Sequence, residues 1–409
     1  MKILVSAYSC NPAKGGEANY SFHWAYQYAT RASHDVWCIV QPAGKKEIEA
    51  FLEKNPVPNL HFVYLPAPDW ARRLYEGSHF GVIVHYWVWQ QMAYQKAREL
   101  NGQVDFDFLH HVSYGSLQLG TALWKLNKPL IFGPIGGGQF APPAFKRYFM
   151  RWWKMELSRY WVSKLTMLAN PNVNYAVKEA LAVLVTNQET FELAGTMKPR
   201  HMQYSLDSIL PDDFYPATYP ERTPSDTLRL LWVGSVMARK GLLVVLEALA
   251  KVRPEVKYHL TIQGDGPMGS YVPDWIKENN LEGKVTWSGK VPWTEVKRAY
   301  AENDVFMFCT LRDSFAAQFL EAMAYGLPII TLNHHGARTF VPEGVSIKAP
   351  VVKPEETLRR LAEAVEYMYQ HPKERAEMGK KAYEFAKTQS WSHKLDSVLS
   401  LVKEKTTSI

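Results

Sequence analysis

The chain has 409 residues, of which 47% are apolar and 21% charged, a globular composition that excludes a disordered or fibrous protein. Its three cysteines lack a CxxC spacing, which favours reduced thiols and excludes a zinc site built mainly on cysteine. The formal net charge is +7, and the excess of basic residues falls entirely within residues 1–205. This one-sided charge indicates an anionic partner, such as a membrane surface, a phospholipid-linked substrate or nucleic acid.

The amino terminus does not resemble a targeting segment. Its apolar run is too short for a secretory signal and ends at Asn11-Pro12. The sequence contains no uncharged apolar stretch of about 18 residues, the length that a spanning helix needs. We therefore expect a cytoplasmic protein that does not cross the membrane.

In the first half of the chain, short apolar runs alternate with helix-length segments. Strands are predicted at residues 2–7, 36–40, 61–65, 106–110 and 129–132, and a helix at residues 17–31. Such alternation is typical of right-handed βαβ units around a parallel sheet.

A proline-rich stretch at residues 208–227 is interpreted as an inter-domain linker. The pattern then restarts, with strands predicted at residues 228–233, 258–263, 284–287, 305–308 and 328–331, a helix at 241–252, and helical residues 354–401 broken near Ser390-Trp391.

The predicted fold class is therefore α/β, with two doubly wound parallel-sheet domains facing across a cleft. Their expected bounds are residues 1–205 and residues 206–385. Residues 386–409 would form a helix that crosses back to the first domain. In such folds ligands bind at the carboxyl ends of the strands.

The segment at residues 311–330, LRDSFAAQFLEAMAYGLPII, holds two acids eight positions apart, Asp313 and Glu321. A helix is predicted to start near Ser314 or Phe315, with Asp313 or Ser314 as its cap. The free amides of its first turn, at Phe315 and Ala316, would suit a diphosphate. On spacing alone, an N-cap acid and a solvated glutamate remain the alternative.

This segment resembles the E-x7-E motif of retaining glycosyltransferases of family four, which have the GT-B fold and are of the glycosyl transferases group 1 type. An ordered set of further matches supports the resemblance: Gly15-Gly16-Glu17, Gly234 with Lys240-Gly241, Gly264-Asp265-Gly266-Pro267, and His335-Gly336. The resemblance implies that residues 1–205 form the acceptor-side domain and that residues 206–385 bind the nucleotide sugar. It also implies that Glu321 binds the ribose of the donor and Asp313 the hydroxyls of its sugar. Family members usually carry glutamate at the first position, and aspartate shortens the reach by about 1.5 Å.

Residues 233–241, VGSVMARKG, are expected to bind the donor diphosphate. Enzymes of this fold typically neutralise the leaving nucleoside diphosphate with side chains and helix amides in place of a metal. Lys240 is the predicted catalytic cation and Arg239 a second candidate, whereas Ser235 stands where arginine is usual. We expect no cofactor and no metal.

Two histidines, His110 and His111, are predicted at the carboxyl end of a strand. The resemblance implies that a histidine here touches the donor sugar, with His111 preferred over His110, and a buried structural histidine is the alternative. The Asp-Phe-Asp sequence at residues 105–107 spells a metal-binding signature of another glycosyltransferase fold. It is discounted because it lies at the start of the strand.

Glycines let a backbone approach a ligand closely. The resemblance implies that Gly15 and Gly16 lie near the donor phosphate and the acceptor, with a plain tight turn as the alternative. It also places Gly264 and Gly336 in the donor site. Two more glycines, Gly136 and Gly137, are expected to shape the acceptor side. The family often has an acid near Thr339, and its absence leaves the Gly336 amide as the expected contact.

Residues 146–164, from Lys146 to Lys164, hold six basic residues, one acid and six aromatic residues. Such a segment is typical of a helix at an anionic membrane surface, where each basic residue contributes about 1 kcal/mol. A helix with a buried aromatic face and a nucleic-acid site are the alternatives, and we expect no nucleic-acid partner.

The sequence therefore predicts a retaining hexosyltransferase that moves a sugar from a UDP- or GDP-sugar to a hydroxyl of a saccharide or lipid-linked acceptor. Cell-surface polysaccharide or glycolipid synthesis is the expected context, on the inner face of the membrane. The alternatives are a sugar-nucleotide epimerase of the same fold and a binding subunit with impaired catalysis, which Ser235, Thr339 and Asp313 leave open.

Overall fold

A computed structural model describes residues 1–77 and 79–407. The chain forms two compact units. Unit 1 comprises Met1–Gly138, Tyr160–Ser208 and Trp391–Ile409, and unit 2 comprises Gln139–Arg159 and Ile209–Ser390. Residues 408 and 409, at the end of the predicted carboxyl-terminal segment, lie outside the described residues.

The strands are β1 (Lys2–Ala7), β2 (Asp35–Val40), β3 (Leu60–Tyr64), β4 (Phe108–Ser113), β5 (Leu130–Ile135), β6 (Ala182–Val185), β7 (Met202–Tyr204), β8 (Leu228–Val233), β9 (Tyr258–Gln263), β10 (Val285–Trp287), β11 (Val305–Met307), β12 (Ile329–Leu332) and β13 (Ser346–Ala349). The helices are α1 (Glu17–Thr30), α2 (Lys45–Lys54), α3 (Asp69–Gly77), α4 (His79–Val104), α5 (Trp153–Ala169), α6 (Pro171–Glu179), α7 (Gln188–Gly195), α8 (Leu242–Leu249), α9 (Val272–Glu278), α10 (Trp293–Glu302), α11 (Ala317–Ala324), α12 (His335–Phe340), α13 (Pro354–Gln370), α14 (Pro372–Thr388) and α15 (Trp391–Thr407).

Each unit is built on one parallel sheet. Unit 1 has seven strands in the order β3-β2-β1-β4-β5-β6-β7, and unit 2 has six in the order β10-β9-β8-β11-β12-β13. The pairs in both sheets are parallel, as βαβ connections require. Central strands such as β5 and β6 are buried along their whole length, because helices cover both faces of a parallel sheet.

The strand order reverses at one point in each sheet. This switch point lies between β1 and β4 in unit 1 and between β8 and β11 in unit 2. The loops that leave adjacent strands diverge there and open a crevice at the carboxyl ends. The two crevices are therefore the first places to look for functional side chains.

Residues 139–159 group with unit 2, although the sequence predicted them in the first domain. We call this segment the strap. Its side chains hold it to unit 2: Glu156 accepts from Arg312 Nε at 2.7 Å and Nη2 at 3.0 Å. Tyr148 donates to Glu247 at 2.7 Å. These contacts join positions far apart in sequence, so local patterns gave no sign of them.

The proline-rich stretch also differs from the prediction, because from Ile209 onward it groups with unit 2. Arg222 fastens it there by donating to backbone carbonyls, including that of Tyr325 at 2.7 Å. The carboxyl-terminal helix α15 groups with unit 1, where the Trp391 ring packs against Tyr20 and Trp24 with centroids 5.4 Å apart in each pair.

Several element boundaries correct the sequence analysis. The predicted strand at residues 106–110 begins later, as β4, because Asp105 adopts a left-handed φ of 56° at the end of α4. Strands β6, β7 and β13 were not predicted. The segment at residues 146–164 is not one helix, since Met150 (φ 49°, ψ −130°) interrupts the 3₁₀ segment Pro143–Trp152 before α5 begins at Trp153. Among the described residues, no helix is both long and apolar enough to span a membrane.

Candidate active site

The carboxyl ends of β8 and β11 carry three of the predicted donor residues. Lys240 and Arg239 lie in a 3₁₀ turn after β8, and Asp313 lies in the loop after β11. Asp313 Oδ2 accepts from Lys240 Nζ at 2.5 Å and from Arg239 Nη1 at 2.8 Å. The switch point of unit 2 thus brings together side chains that are more than 70 positions apart.

Burial and charge determine the ionisation of this cluster. Burial raises the pKa of Asp313, but the two cations outweigh it and hold that pKa below its ordinary value. Burial lowers the pKa of Lys240, whose side chain is only 10% exposed, while Asp313 opposes that shift. One carboxylate shared by two cations leaves positive charge at the crevice, which suits an anionic ligand.

Glu321 lies on α11 and is 8% exposed. Its Oε2 accepts from the Tyr300 hydroxyl of α10 at 2.8 Å. Burial raises the pKa of Glu321 to about 7, against the opposing effects of Tyr300 and Lys240. Glu321 is therefore within electrostatic reach of Lys240. One hydrogen bond fixes its carboxylate, which keeps further acceptor capacity.

The predicted start of the motif helix was wrong. Helix α11 begins at Ala317, and its N-cap residue, Ala316, makes no side-chain cap. Ser314 does not cap the helix, because its hydroxyl accepts from Gln139 Nε2 of the strap at 2.8 Å. Phe315 and Ala316 are buried, and the Phe315 ring packs against Phe319. Whether their amides contact a donor stays a prediction.

Close backbone packing explains why two predicted donor-site positions are glycine. Gly264 has a φ of +130°, and an added Cβ would lie 1.8 Å from the Gly234 carbonyl oxygen. At Gly336 an added Cβ would lie 1.7 Å from the Ser314 carbonyl oxygen. Both glycines let the loops at the carboxyl ends of the strands pack together.

In unit 1, the loop after β1 holds Gly15 and Gly16, both exposed, immediately before α1. The first residue of that helix, Glu17, accepts from the backbone N–H of Gly115 at 2.5 Å. Desolvation raises the pKa of Glu17 to about 7. This hydrogen bond joins the loops after β1 and β4 across the switch point of unit 1.

The two predicted histidines lie inside β4, and neither is exposed. His110 Nε2 donates to the Gly133 carbonyl at 2.7 Å, and its Nδ1 lies 3.0 Å from the Tyr28 hydroxyl. His111 Nε2 lies 3.2 Å from the Tyr86 hydroxyl. Burial lowers the pKa of His110 to about 3 and that of His111 to about 4, so both rings are neutral. The structure gives both a role in the core, and the sugar contact of His111 stays a prediction.

The predicted acceptor-side glycines follow β5. The Gly136 N–H donates to the Gly115 carbonyl at 2.9 Å, and the Gly137 carbonyl accepts from Gln118 Nε2 at 2.5 Å. These bonds tie the loop after β5 to the loop after β4. Their role towards an acceptor stays a prediction.

The Asp-Phe-Asp sequence lies at the amino end of β4, as expected from its position. Asp105 pairs with Lys128 at 2.5 Å, and Asp107 accepts from the Lys2 backbone N–H at 2.7 Å. Both carboxylates are therefore at the opposite end of the strand from the crevice.

Sequence reasoning missed four residues of the unit 2 site. Two of them are Tyr300, which donates to Glu321, and Gln139, which donates to Ser314. The other two are Arg312, within the segment at residues 311–330, and its partner Glu156. Arg312 is adjacent to Asp313 and could have been considered on that ground. Tyr300 and Gln139 carried no local signal, because only the folded chain brings them to Glu321 and Ser314.

Residues 219–385 match a family model described as glycosyl transferases group 1. The phosphatidylinositol N-acetylglucosaminyltransferase GPI3 subunit of Saccharomyces cerevisiae (strain YJM789) is 22% identical over 200 residues, which cover 47% of this chain and 43% of that protein. The putative colanic acid biosynthesis glycosyltransferase WcaL of Escherichia coli (strain K12) is 29% identical over 152 residues, covering 35% of this chain and 36% of WcaL. The chain thus spans less than half the length of these curated relatives.

The fold is shared with solved structures over the whole chain. Anabaena Alr3699/HepE in complex with UDP superposes with a TM-score of 0.64 at 17% identity, covering 100% of both chains. Two Rossmann-like domains with all-parallel sheets and such neighbours define the GT-B fold, which confirms the predicted fold class. The resemblance to the glycosyl transferases group 1 type is confirmed as well for residues 219–385, which match that family model and contain Lys240, Asp313 and Glu321.

Proposed function

We propose that the protein is a retaining glycosyltransferase that moves a hexose from a UDP- or GDP-sugar to a hydroxyl acceptor. The observation that carries this proposal is the cluster of Lys240, Arg239, Asp313 and Glu321 at the switch point of unit 2. A group 1 region and polysaccharide-building relatives such as WcaL support the same class of reaction.

The cluster suits departure of a nucleoside diphosphate. Breaking the bond between sugar and phosphate transfers negative charge to the leaving group, and fixed cations stabilise that charge. Lys240 and Arg239 would supply this stabilisation in the role that a metal has elsewhere. Glu321 would accept hydroxyls of the ribose, because a carboxylate fixed by Tyr300 still has acceptor capacity.

A UDP-sugar is the first donor to test, since HepE, which shares the fold, is described in complex with UDP-glucose. Retention at the anomeric carbon would follow a front-face route in which the leaving phosphate helps to deprotonate the acceptor. Proton NMR of the first-formed product would assign its anomeric configuration. An inverted product would overturn the retaining mechanism.

The acceptor proposal is a saccharide or lipid-linked hydroxyl in cell-surface polysaccharide or glycolipid synthesis, at the cytoplasmic face of a membrane. Helix α5 supports a membrane surface as partner. Trp161 and Leu165 are each 62% exposed and Leu168 is 85% exposed, at a spacing that aligns them on one helix face. An exposed apolar face in a basic, Trp-rich segment matches an anionic lipid interface.

Co-sedimentation with phosphatidylglycerol vesicles at low salt tests this partner. We expect binding that Trp161→Ser weakens and that the matched control Trp293→Ser, at a similarly exposed tryptophan of unit 2, leaves unchanged. If the intact protein ignores these vesicles, or both variants bind alike, the membrane proposal is wrong.

A thermal-shift screen of nucleotide sugars tests the donor proposal, because a true donor stabilises the folded protein by mass action. Glu321→Ala should abolish the shift, whereas Glu343→Ala, at an exposed acid of unit 2, should not. Unchanged donor affinity in Glu321→Ala would overturn the site. Transfer or hydrolysis of the donor by the purified protein distinguishes a transferase from an epimerase or an impaired binding subunit.

A further inference from the structure

Unit 2 contains a cavity of about 210 Å³ that the strap closes on one side. The strap contributes Phe149, Trp152, Met155 and Glu156, and the loops after β8, β9 and β11 contribute the rest of the lining. Its apolar lining residues are Phe149, Trp152, Met155, Met237, Ala238, Pro267 and Met268. We call it the strap pocket. Two aromatic rings and three thioethers form an apolar wall that adapts to irregular shapes.

A buried ion pair forms part of the lining of the strap pocket. Arg312 and Glu156, 15% and 10% exposed in their side chains, form this bidentate pair. Arg239, which pairs with Asp313, also lines the pocket. The pocket therefore lies next to the predicted donor cations. Its lining residues include neither Glu321 nor any residue of the loop after β10.

The charges around the pocket do not balance. Arg159, one helical turn beyond Glu156, interacts electrostatically with Arg312, Glu156 and Arg239. Its Nη1 is buried without a hydrogen-bond partner within the described part of the chain. Burial, followed by the charge of Arg312, lowers the pKa of Arg159 to about 10. An arginine that is desolvated beside two others is stabilised by an added anion.

The charged groups in and next to the lining give the sign of the missing partner. Arg239, Arg312 and Glu156 line the pocket, and Glu156 pairs with Arg312. Asp313 pairs with Arg239 and with Lys240, and Arg159 interacts electrostatically with Arg239, Arg312 and Glu156. Glu321 reaches only Lys240, and its pKa of about 7 leaves it partly protonated near neutral pH. The excess is positive.

We propose that the strap pocket binds a phosphate ester with an apolar substituent, the phosphate at Arg159 and Arg312 and the substituent against Trp152 and Met155. The proposal rests on the proposed function in one respect, because we identify the ligand as the lipid phosphate of a lipid-linked acceptor. A volume of about 210 Å³ is below the roughly 300–1,000 Å³ of a typical small-molecule site. It therefore accommodates the phosphate and the adjoining part of a chain, with the remainder outside.

The lining favours a lipid phosphate over a nucleotide. Reading a base requires donors and acceptors along its edge, and the polar side chains lining the pocket are Glu156, Arg239 and Arg312, two of which are already paired to each other. Thioethers and rings instead suit an isoprenoid chain. If the ligand of the pocket is a nucleotide, UDP should compete for it. If the ligand is a lipid phosphate, UDP should not compete.

Titration calorimetry with the intact protein tests the proposal, using geranyl phosphate, geraniol and inorganic phosphate as probes and UDP as the donor control. We expect geranyl phosphate to bind more tightly than geraniol or phosphate, in the presence of saturating UDP as well. Arg159→Gln should weaken geranyl phosphate binding by about tenfold to a hundredfold, from the loss of a charged hydrogen bond, without changing the Kd of UDP. The control Arg298→Gln, at an exposed arginine of α10, should change neither.

Trp152→Ala provides a second variant should Arg159→Gln fold poorly, as judged by circular dichroism. It should weaken geranyl phosphate and leave inorganic phosphate unchanged. The proposal is overturned if the wild type binds UDP but not geranyl phosphate, if phosphate alone binds as well as its ester, or if UDP displaces the probe. If no nucleotide binds, the proposed function is contradicted. Binding of geranyl phosphate then decides the strap-pocket proposal independently.

Discussion

The switch points of the two units share a topology and differ in chemistry. In unit 1, the strands at the crevice carry His110 and His111, both neutral and enclosed, and the loops are joined by the acid Glu17. In unit 2, the loops carry the cations Lys240 and Arg239 around one carboxylate. The same strand order thus supports a crevice with two neutral histidines and one acid, and a crevice with cations. The difference shows that the fold determines where a site lies, while the loop residues determine which ligand it binds.

The largest effect should come from removing the central cation of unit 2. Lys240→Met should lower kcat/KM for the donor sugar by on the order of 10²–10³, because one preorganised charge opposite the leaving diphosphate is lost. Lys240→Arg should retain part of the activity. In unit 1, His111→Gln should leave the Kd of UDP unchanged. Equal losses of UDP affinity in Lys240→Met and His111→Gln would break the contrast between the two crevices.

Asp313, the carboxylate shared by Lys240 and Arg239, provides a second test of the contrast between the two crevices. Asp313→Asn removes the partner of two cations, so UDP should bind at least as tightly as in the wild type. Turnover should fall about tenfold to a hundredfold, since the cations lose the group that positions them. Calorimetry for UDP and initial rates for transfer measure the two quantities separately. Loss of UDP affinity in Asp313→Asn would contradict an electrostatic role.

The neutral histidines predict a pH dependence of stability that belongs to unit 1. Their folded-state pKa values, about 3 and about 4, lie below the ordinary value of 6.5, so the unfolded chain binds protons more readily. The stability that the neutral rings contribute is complete above pH 6.5 and is lost as the pH falls towards 4. In His111→Gln, the free energy of unfolding should fall less steeply over this range, by about 1.4 kcal/mol per pH unit.

Urea unfolding of the wild type and of His111→Gln between pH 4.5 and 7 measures that difference. His259→Gln, at a half-buried histidine of unit 2 that bonds to Thr286 at 2.9 Å, provides the control. Identical slopes in the wild type and in His111→Gln would show that the ring is not held neutral.

The smallest effect should come from the hydroxyl that fixes Glu321. Tyr300→Phe removes one hydrogen bond to a carboxylate, and that bond lowers the pKa of Glu321 against the effect of burial. Glu321 should then be more protonated at pH 7, and the affinity for a nucleotide donor should weaken about fivefold, from roughly 1 kcal/mol. The loss should diminish at pH 8.5, where Glu321 is ionised in both proteins. A loss that is constant with pH would indicate a packing effect instead.

Local pattern sufficed for much of the scaffold. The bounds of β8 and β9 agree with the predicted strands, because buried parallel strands are continuous apolar runs that end at glycine or polar residues. Strands β6, β7 and β13 were not predicted, whereas the equally short β10, β11 and β12 were, so the length of a strand does not by itself explain the omission. The helix start at Ala317 was not predicted either, because the side chain expected as its cap, Ser314, bonds to Gln139 instead.

By itself, the sequence determined the α/β class and the restart of the pattern in a second domain, because both depend on spacing along the chain. The motif residues Lys240, Asp313 and Glu321 were predicted from the resemblance to a family, because spacing alone left an alternative open. Only the tertiary structure decided the strap's place in unit 2, the enclosure of His111 and the shared pairing of Asp313 with two cations. Those features depend on contacts between distant positions. The stability of these contacts depends on which groups become buried and which charges come close together in the folded chain. A local sequence pattern specifies neither.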